Sequence, residues 1–335
     1  MNLIDLDYFK TKDKIIYLVK GYYHPSQRVF AYPIYWPNQR GERTEPSTGQ
    51  RYKKEIDELN NKKIFSLRPY YRHRYIPKNC PLIPKSEIIK VYKPKKKICD
   101  FIKREKKTIW YKIFNGFINI AKIPRNNIGI FGSYLVDLAQ DNRGKMIKDI
   151  DFAIYGRNNC RKLKQKIGII RKKIKLGKIS PSHIAYQQQR YGSIFSQKNN
   201  SFNLSFKRKW SSLQIKEGLL STVRFVYNKN EIPQNPIRGK TKGPIRINGL
   251  VVDDFKVNFL PRSFVIKNGN KYYKVITYFW SYHQTVKNGD FVTIFGDLFA
   301  GNTIVIDDSN HGIKIINNKK LWQNSLSTMK EHVSD

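Results

Sequence analysis

Cysteine and methionine are scarce, with three of each in 335 residues, and Cys80, Cys99 and Cys160 stand apart without C-x-x-C spacing. An odd, unclustered set excludes a disulfide framework and a cysteine zinc site, and reads as reduced thiols. No apolar run approaches the roughly 20 residues that cross a bilayer. The start, MNLIDLDYFKTKDK, lacks the basic and apolar regions of a secretory signal. The expectation is a cytoplasmic protein with no membrane span. His24, His73, His183, His283 and His311 are scattered without H-x-x-x-H spacing, so neither a zinc site nor a histidine general base is expected.

Acidic residues are the largest shortage. Sixty-four Lys and Arg face 25 Asp and Glu, a formal charge of +39. A field of that sign attracts polyanions, with RNA or a ribonucleoprotein the leading partner and an anionic membrane surface the lesser one. The bland alternative is a generally basic or salt-adapted surface. Apolar residues make up 40% and aromatic residues 13% of the chain, enough to build packed cores.

Residues 1–95 read as a mostly β module. Ile15–Val19 and Val29–Trp36 are extended runs, 38–62 is polar and turn-rich, and Lys63–Leu67 resumes a strand-like pattern. Four prolines between Pro77 and Pro94 predict a crossing with little regular structure. Residues 96–235 open with an amphipathic helix over Ile102–Ile118, followed by a short buried strand, Ile128–Phe131. Gly132-Ser133 then leads into a helix-like Tyr134–Ala139. A strand from Ile147 to Tyr155 alternates Ile150, Phe152 and Ile154 on one face with Asp149, Asp151 and Ala153 on the other. Basic helical segments fill about 160–210, and Leu219–Tyr227 supplies another strand. Residues 240–320 are short strands divided by Asn-Gly and Ala-Gly-Asn turns, a pattern that predicts a small barrel or sandwich and leaves an OB-like nucleic-acid platform open. The tail, 321–335, is expected to be flexible.

The order strand, Gly-Ser, helix, turn, strand with D-x-D carries a definite chemistry. Two carboxylates on one strand face can share a hard divalent ion, and that ion neutralises the charge of a triphosphate. A glycine lets phosphate approach, and the Ser133 hydroxyl and nearby N–H groups can grip it. Candidate metal ligands are therefore Asp149 and Asp151. Gly132, Ser133 and Lys148 are the nucleotide-binding candidates, with Lys145 and Arg157 near them in sequence. Gly132-Ser133 lacks the Gly-Lys-Ser/Thr that closes a P-loop.

Ile130-Phe131-Gly132-Ser133 followed by Lys148-Asp149-Ile150-Asp151-Phe152-Ala153-Ile154 resembles the signature of the DNA polymerase beta-like nucleotidyltransferase superfamily. The whole chain also looks like an archaeal family of such proteins, through Gly21-Tyr22-Tyr23-His24-Pro25, Phe259-Leu260-Pro261 and Asn288-Gly289-Asp290 among others. The resemblance implies an α+β chain: a polymerase-beta-like nucleotidyltransferase domain, a mostly β N-terminal module and a β-rich small-barrel-like C-terminal domain. It also implies Mg²⁺, or Mn²⁺, as cofactor and a nucleoside triphosphate as substrate. The product is a nucleoside monophosphate joined to an acceptor hydroxyl, for which RNA is a candidate.

Fifteen residues separate Ser133 from Asp149, more than in minimal members, and the Asp141–Gly144 turn can absorb the excess. Active members also place a third carboxylate on a later strand. The matching strand here, Leu219–Tyr227, holds no acid, and Arg224 stands where one is expected. Glu217 reaching inward, Asp253 or Asp254 folding back, and an incomplete site all stay open. An incomplete site makes the chain a weak or inactive nucleotidyltransferase-fold protein that binds RNA or a ribonucleoprotein. Nine Lys or Arg and no acids lie between Arg161 and Lys178. That stretch offers Arg161, Lys162, Arg171 and Lys172 as nucleic-acid contacts, or else a solvated face. Arg72 and Arg74, interleaved with tyrosines in Arg68–Tyr75, are a second such set unless those tyrosines pack into a sheet edge.

Overall fold

The structure, a computed structural model, describes residues 2–55, 61–73, 76–139, 149–177, 179–182, 184–185, 208–216, 219–234, 237, 240–308 and 310–316. It is mixed α+β and strand-rich, built on three sheets. No helix among the described residues is long and apolar enough to cross a membrane.

The first sheet contains β1 (Tyr8–Thr11), β2 (Ile16–Val19), β3 (Arg28–Pro37), β4 (Arg43–Thr44), β5 (Arg51–Lys54), β6 (Leu82–Pro84) and β7 (Ile88–Tyr92). Its order is β4-β5-β3-β2-β1-β7, with β6 added to β3. Alternation decides its packing: Ile16 and Leu18 join one core, while Tyr17 and Val19 join another on the opposite face. Two expectations fail here. Lys63–Leu67 lies in a helix, α1 (Lys62–Leu67), because only Ile64 needs burying and one helical turn achieves that. The proline-rich crossing holds two strands, because Pro84 ends β6 and Pro94 follows β7, where no ladder N–H is missed.

The central sheet runs β10 (Ser212–Lys216), β11 (Leu219–Val226), β9 (Asp151–Tyr155), β8 (Ile128–Phe131) in spatial order. Strand β9 is antiparallel to β8 and parallel to β11. Phe152 and Ile154 face a core with α2 (Ile98–Glu105), α3 (Ile109–Asn119) and α4 (Arg157–Ile174), whereas Ala153 and Tyr155 pack against the first sheet. The single helix expected over Ile102–Ile118 is thus two, broken at Lys106–Thr108. Tyr134–Ala139 is not a helix. It is a compact turn with Asp137 at φ 59°, its side chains split between both cores, so no amphipathic face exists to favour a helix. Strand β9 begins at Asp151, and the expected start at Ile147 lies outside the described residues.

The third sheet contains β12 (Gly243–Asp253), β13 (Arg262–Asn268), β14 (Lys271–Thr277), β15 (Phe291–Phe299), β16 (Thr303–Ile306) and β17 (Gly312–Ile316). The order β12-β13-β14-β16-β15 closes through β15 onto β12, a five-stranded barrel, and β17 adds to β15. Asn248-Gly249 is not a turn but lies inside β12. A Cβ on Gly249 would stand 3.1 Å from the Ile266 Cβ, so glycine lets β13 cross closely. Lys256–Phe259, read as a strand, falls largely in a 3₁₀ turn.

Buried cations join the sheets. The Lys20 ammonium donates to the Tyr278 carbonyl at 3.1 Å and lies 4.2 Å from the Trp280 ring centre. Nearby, Asp5 accepts the Gly21 N–H, and burial raises its pKa to about 6 against the pull of Lys20, Arg262 and Arg224. Arg262 donates to the Phe279 and Val257 carbonyls and to His283 Nδ1 at 3.1 Å. An arginine only donates, so His283 carries its proton on Nε2 and gives it to Ser211 Oγ. This serine–histidine pair therefore holds the fold and has no base to offer. Lys20→Ala is expected to lower the unfolding free energy by about 3 kcal/mol, since a buried charge network loses a member. Equilibrium urea unfolding measures this, and an unchanged midpoint would show that the sheets hold together without Lys20.

Candidate functional site

The antiparallel register sets Phe131 opposite Asp151, so the chain turns at Gly132-Ser133 directly beside that carboxylate. Gly132 has φ 75°, and a Cβ there would stand 2.9 Å from Asp151 Oδ2. Glycine is required because the carboxylate fills the space a side chain would take. The other Asp151 oxygen, Oδ1, accepts the Thr222 N–H at 2.8 Å. The Tyr8 hydroxyl lies beside this turn, where the Gly132 N–H lowers its pKa against the larger effect of burial. Ser133 itself is 8% exposed. With no helix after Ser133, the junction has no helix dipole to offer an anion. Asp149 is half-buried in the segment leading into β9 rather than in the strand.

Burial, and then the Asp149 charge, raise Asp151 to about 8 against the pull of the Thr222 N–H, Lys54 and Arg224. Burial also pushes the Tyr8 and Tyr35 hydroxyls up, with Asp151 adding to both and Asp149 to Tyr35. Two carboxylates under mutual repulsion, one with an oxygen directed at an open glycine turn, suit a hard divalent cation with water and phosphate completing its shell. Among the described residues no group of three or more His, Cys, Asp or Glu converges as a metal site, so a cation here rests on the pair.

Around the pair, β11 sets Thr222 and Arg224 on the Asp151 face, Arg224 opposite Ala153, while Val223 and Phe225 face the helices. Arg224 is half-buried, 5.5 Å from the Trp280 ring centre. Asp253 and Asp254 do not fold back: they accept the Phe255 and Asn288 N–H groups at the end of β12. Glu217, Lys148 and Arg74 lie outside the described residues. Sequence reasoning missed Tyr8, Lys54 and Thr222. Tyr8 and Lys54 come from the first sheet, which covers the carboxylate face, and no local spacing in the chain marks either.

The nucleic-acid candidates divide. Arg161, Lys162 and Lys172 are exposed on α4. Arg171 is not available: it donates to the Trp210 and Ser212 carbonyls at 2.7 and 2.8 Å, tying α4 to β10. Arg72 is exposed near the Phe65 ring, but Tyr71 beside it is buried with its hydroxyl on Glu87. The first turn of α4 is also taken, since the Arg157 N–H donates to the Glu231 carboxylate. Helix α4 packs on the sheet face away from Asp151.

No family model matches the chain, and neither a curated protein nor a solved structure does.

The raised Asp151 makes stability depend on pH. Its ordinary value is 3.8, so between there and about 8 the folded chain keeps a proton that the unfolded chain releases. Stability therefore falls as pH rises through that window and levels off above it. Asp151→Asn keeps an acceptor for Thr222 and removes this loss. Without divalent ions the variant is expected to melt about 2–4 °C higher than the parent near pH 8.5, and the gain shrinks towards pH 5. A thermal-shift series in pH measures it, and a gain independent of pH would show that the carboxylate carries no such strain.

Proposed function

We propose that the chain is a Mg²⁺-dependent nucleotidyltransferase, moving a nucleoside monophosphate from a nucleoside triphosphate to an acceptor hydroxyl, with RNA the acceptor favoured by charge. The observation that carries this reading is the Asp149–Asp151 pair set against the Gly132-Ser133 turn by the β8–β9 register. On this reading the central sheet is a polymerase-beta-like domain. Asp149 and Asp151 hold the ion, Mn²⁺ being the alternative, and the ion when bound neutralises charge on the triphosphate. Ser133 Oγ orients a phosphate oxygen at the turn. Tyr8 and Tyr35 wall the site off from water on the side of the first sheet. The acceptor oxygen bonds to the α-phosphorus, the bond to the bridging oxygen breaks, and pyrophosphate leaves with that electron pair while the hydroxyl proton passes to water.

A second reading is favoured by Thr222 and Arg224, which fill the neighbouring positions of the carboxylate face where an acid would complete the site. It makes the chain a non-catalytic RNA- or ribonucleoprotein-binding component that uses the same fold. Incubation with each α-phosphate-labelled triphosphate, Mg²⁺ or Mn²⁺ and total RNA separates the two. Label transfer that falls by at least about a hundredfold in Asp149→Asn and in Asp151→Asn is expected. Equal labelling by the parent and both variants, or none by any, would reject the enzyme.

A further inference from the structure

The exposed basic residues of α4 do not end at the helix. The Arg161 guanidinium lies 4.4 Å from the ring centre of Phe255, the first residue of the 3₁₀ turn that leaves β12. Lys256 follows in that turn, and its charge acts on Lys274 of β14. Phe264, Ile266 and Val275 point into the barrel core, which places Lys267, Tyr272 and Lys274 on the outside. Tyr272 sits opposite Lys267 in the ladder, with the ammonium 6.0 Å from its ring centre, and is 55% exposed. Farther along β14 the outer face closes, since Ile276 packs with Leu260 and Tyr278.

Glu231, Asp253 and Asp254 accept backbone N–H groups, Glu231 at the start of α4, Asp253 at Phe255 and Asp254 at Asn288. Burial and Lys256 both disfavour the charge on Lys274, a strain that an anion laid across the pair relieves.

We propose that Arg161, Phe255, Lys256, Lys274, Lys267 and Tyr272 form one continuous track for a single-stranded polynucleotide, crossing from α4 onto the outer face of the barrel. Phosphates lie against the cations, and bases stack on the exposed Tyr272 ring. A duplex keeps its bases stacked on one another and has no use for that ring. The track does not rest on the nucleotidyltransferase reading: α4 lies across the central sheet from Asp151.

Fluorescence anisotropy with a labelled oligouridylate over a series of salt concentrations tests it. Tyr272→Ala is expected to weaken binding roughly tenfold, with Tyr272→Phe near the parent. Arg161→Ala, Lys267→Ala and Lys274→Ala each lower the slope of log affinity against log salt by about 0.7. The double variant Lys12→Ala/Arg40→Ala, in exposed turns of the N-terminal sheet, serves as control. The track is overturned if its variants bind no worse than the control. It is equally overturned if duplex RNA binds as tightly as the oligouridylate, or if anionic lipid vesicles are bound and the oligouridylate is not.

Discussion

Strand β9 is five residues long and buried on both faces, and the other elements are arranged around that constraint. Phe152 and Ile154 need an apolar cover on one side, which α2, α3 and α4 supply; Ala153 and Tyr155 need one on the other, which the first sheet supplies. A strand covered twice cannot display its acids along its length. Asp151 at the first position is the one place where a carboxylate remains partly in contact with solvent, and Asp149 lies just before it. The double burial that orders the fold also raises Asp151, because it withholds water from a charge. The raised carboxylate and the closed core are consequences of one packing decision.

The formal charge of +39 overstates what the surface offers to a polyanion. Arg43 donates to the Leu138 carbonyl at 2.7 Å and is 1% exposed, and Lys20, Arg171 and Arg262 are likewise spent on carbonyls. Lys20 and Arg43 link the first sheet to Tyr278 and Leu138, while Arg171 ties α4 to β10 and Arg262 holds the turn before β13. Charge counted from composition and charge available for binding are different quantities in this chain.

Local pattern was a good guide where an apolar run or an unbroken alternation lies within one element. Ile128–Phe131 and the alternation from Ile150 to Ile154 are legible as buried strands, and the closely spaced turns after residue 240 point to the barrel. Local pattern misled where a distant segment decides the state. Tyr134–Ala139 has helix-forming residues but is enclosed by two cores, and Gly249 resembles a turn residue because only β13 reveals why it lacks a side chain. Arg171 carries the same lesson for charge, since its carbonyl partners at Trp210 and Ser212 lie some forty residues onward in the chain.

By itself, then, the sequence placed Gly132-Ser133 after one buried strand and Asp151 in another, because an apolar run and an alternation are read within a single element. It likewise determined the absence of an acid from Leu219–Val226, whatever the fold does with that strand. Only the tertiary structure decided that the carboxylate face is covered by β1 and β3. The same is true of Arg224 facing Asp151 and of Asp253 and Asp254 staying at the barrel's end. Those facts depend on which surfaces bury each other, and burial between segments apart in the chain leaves no spacing to read.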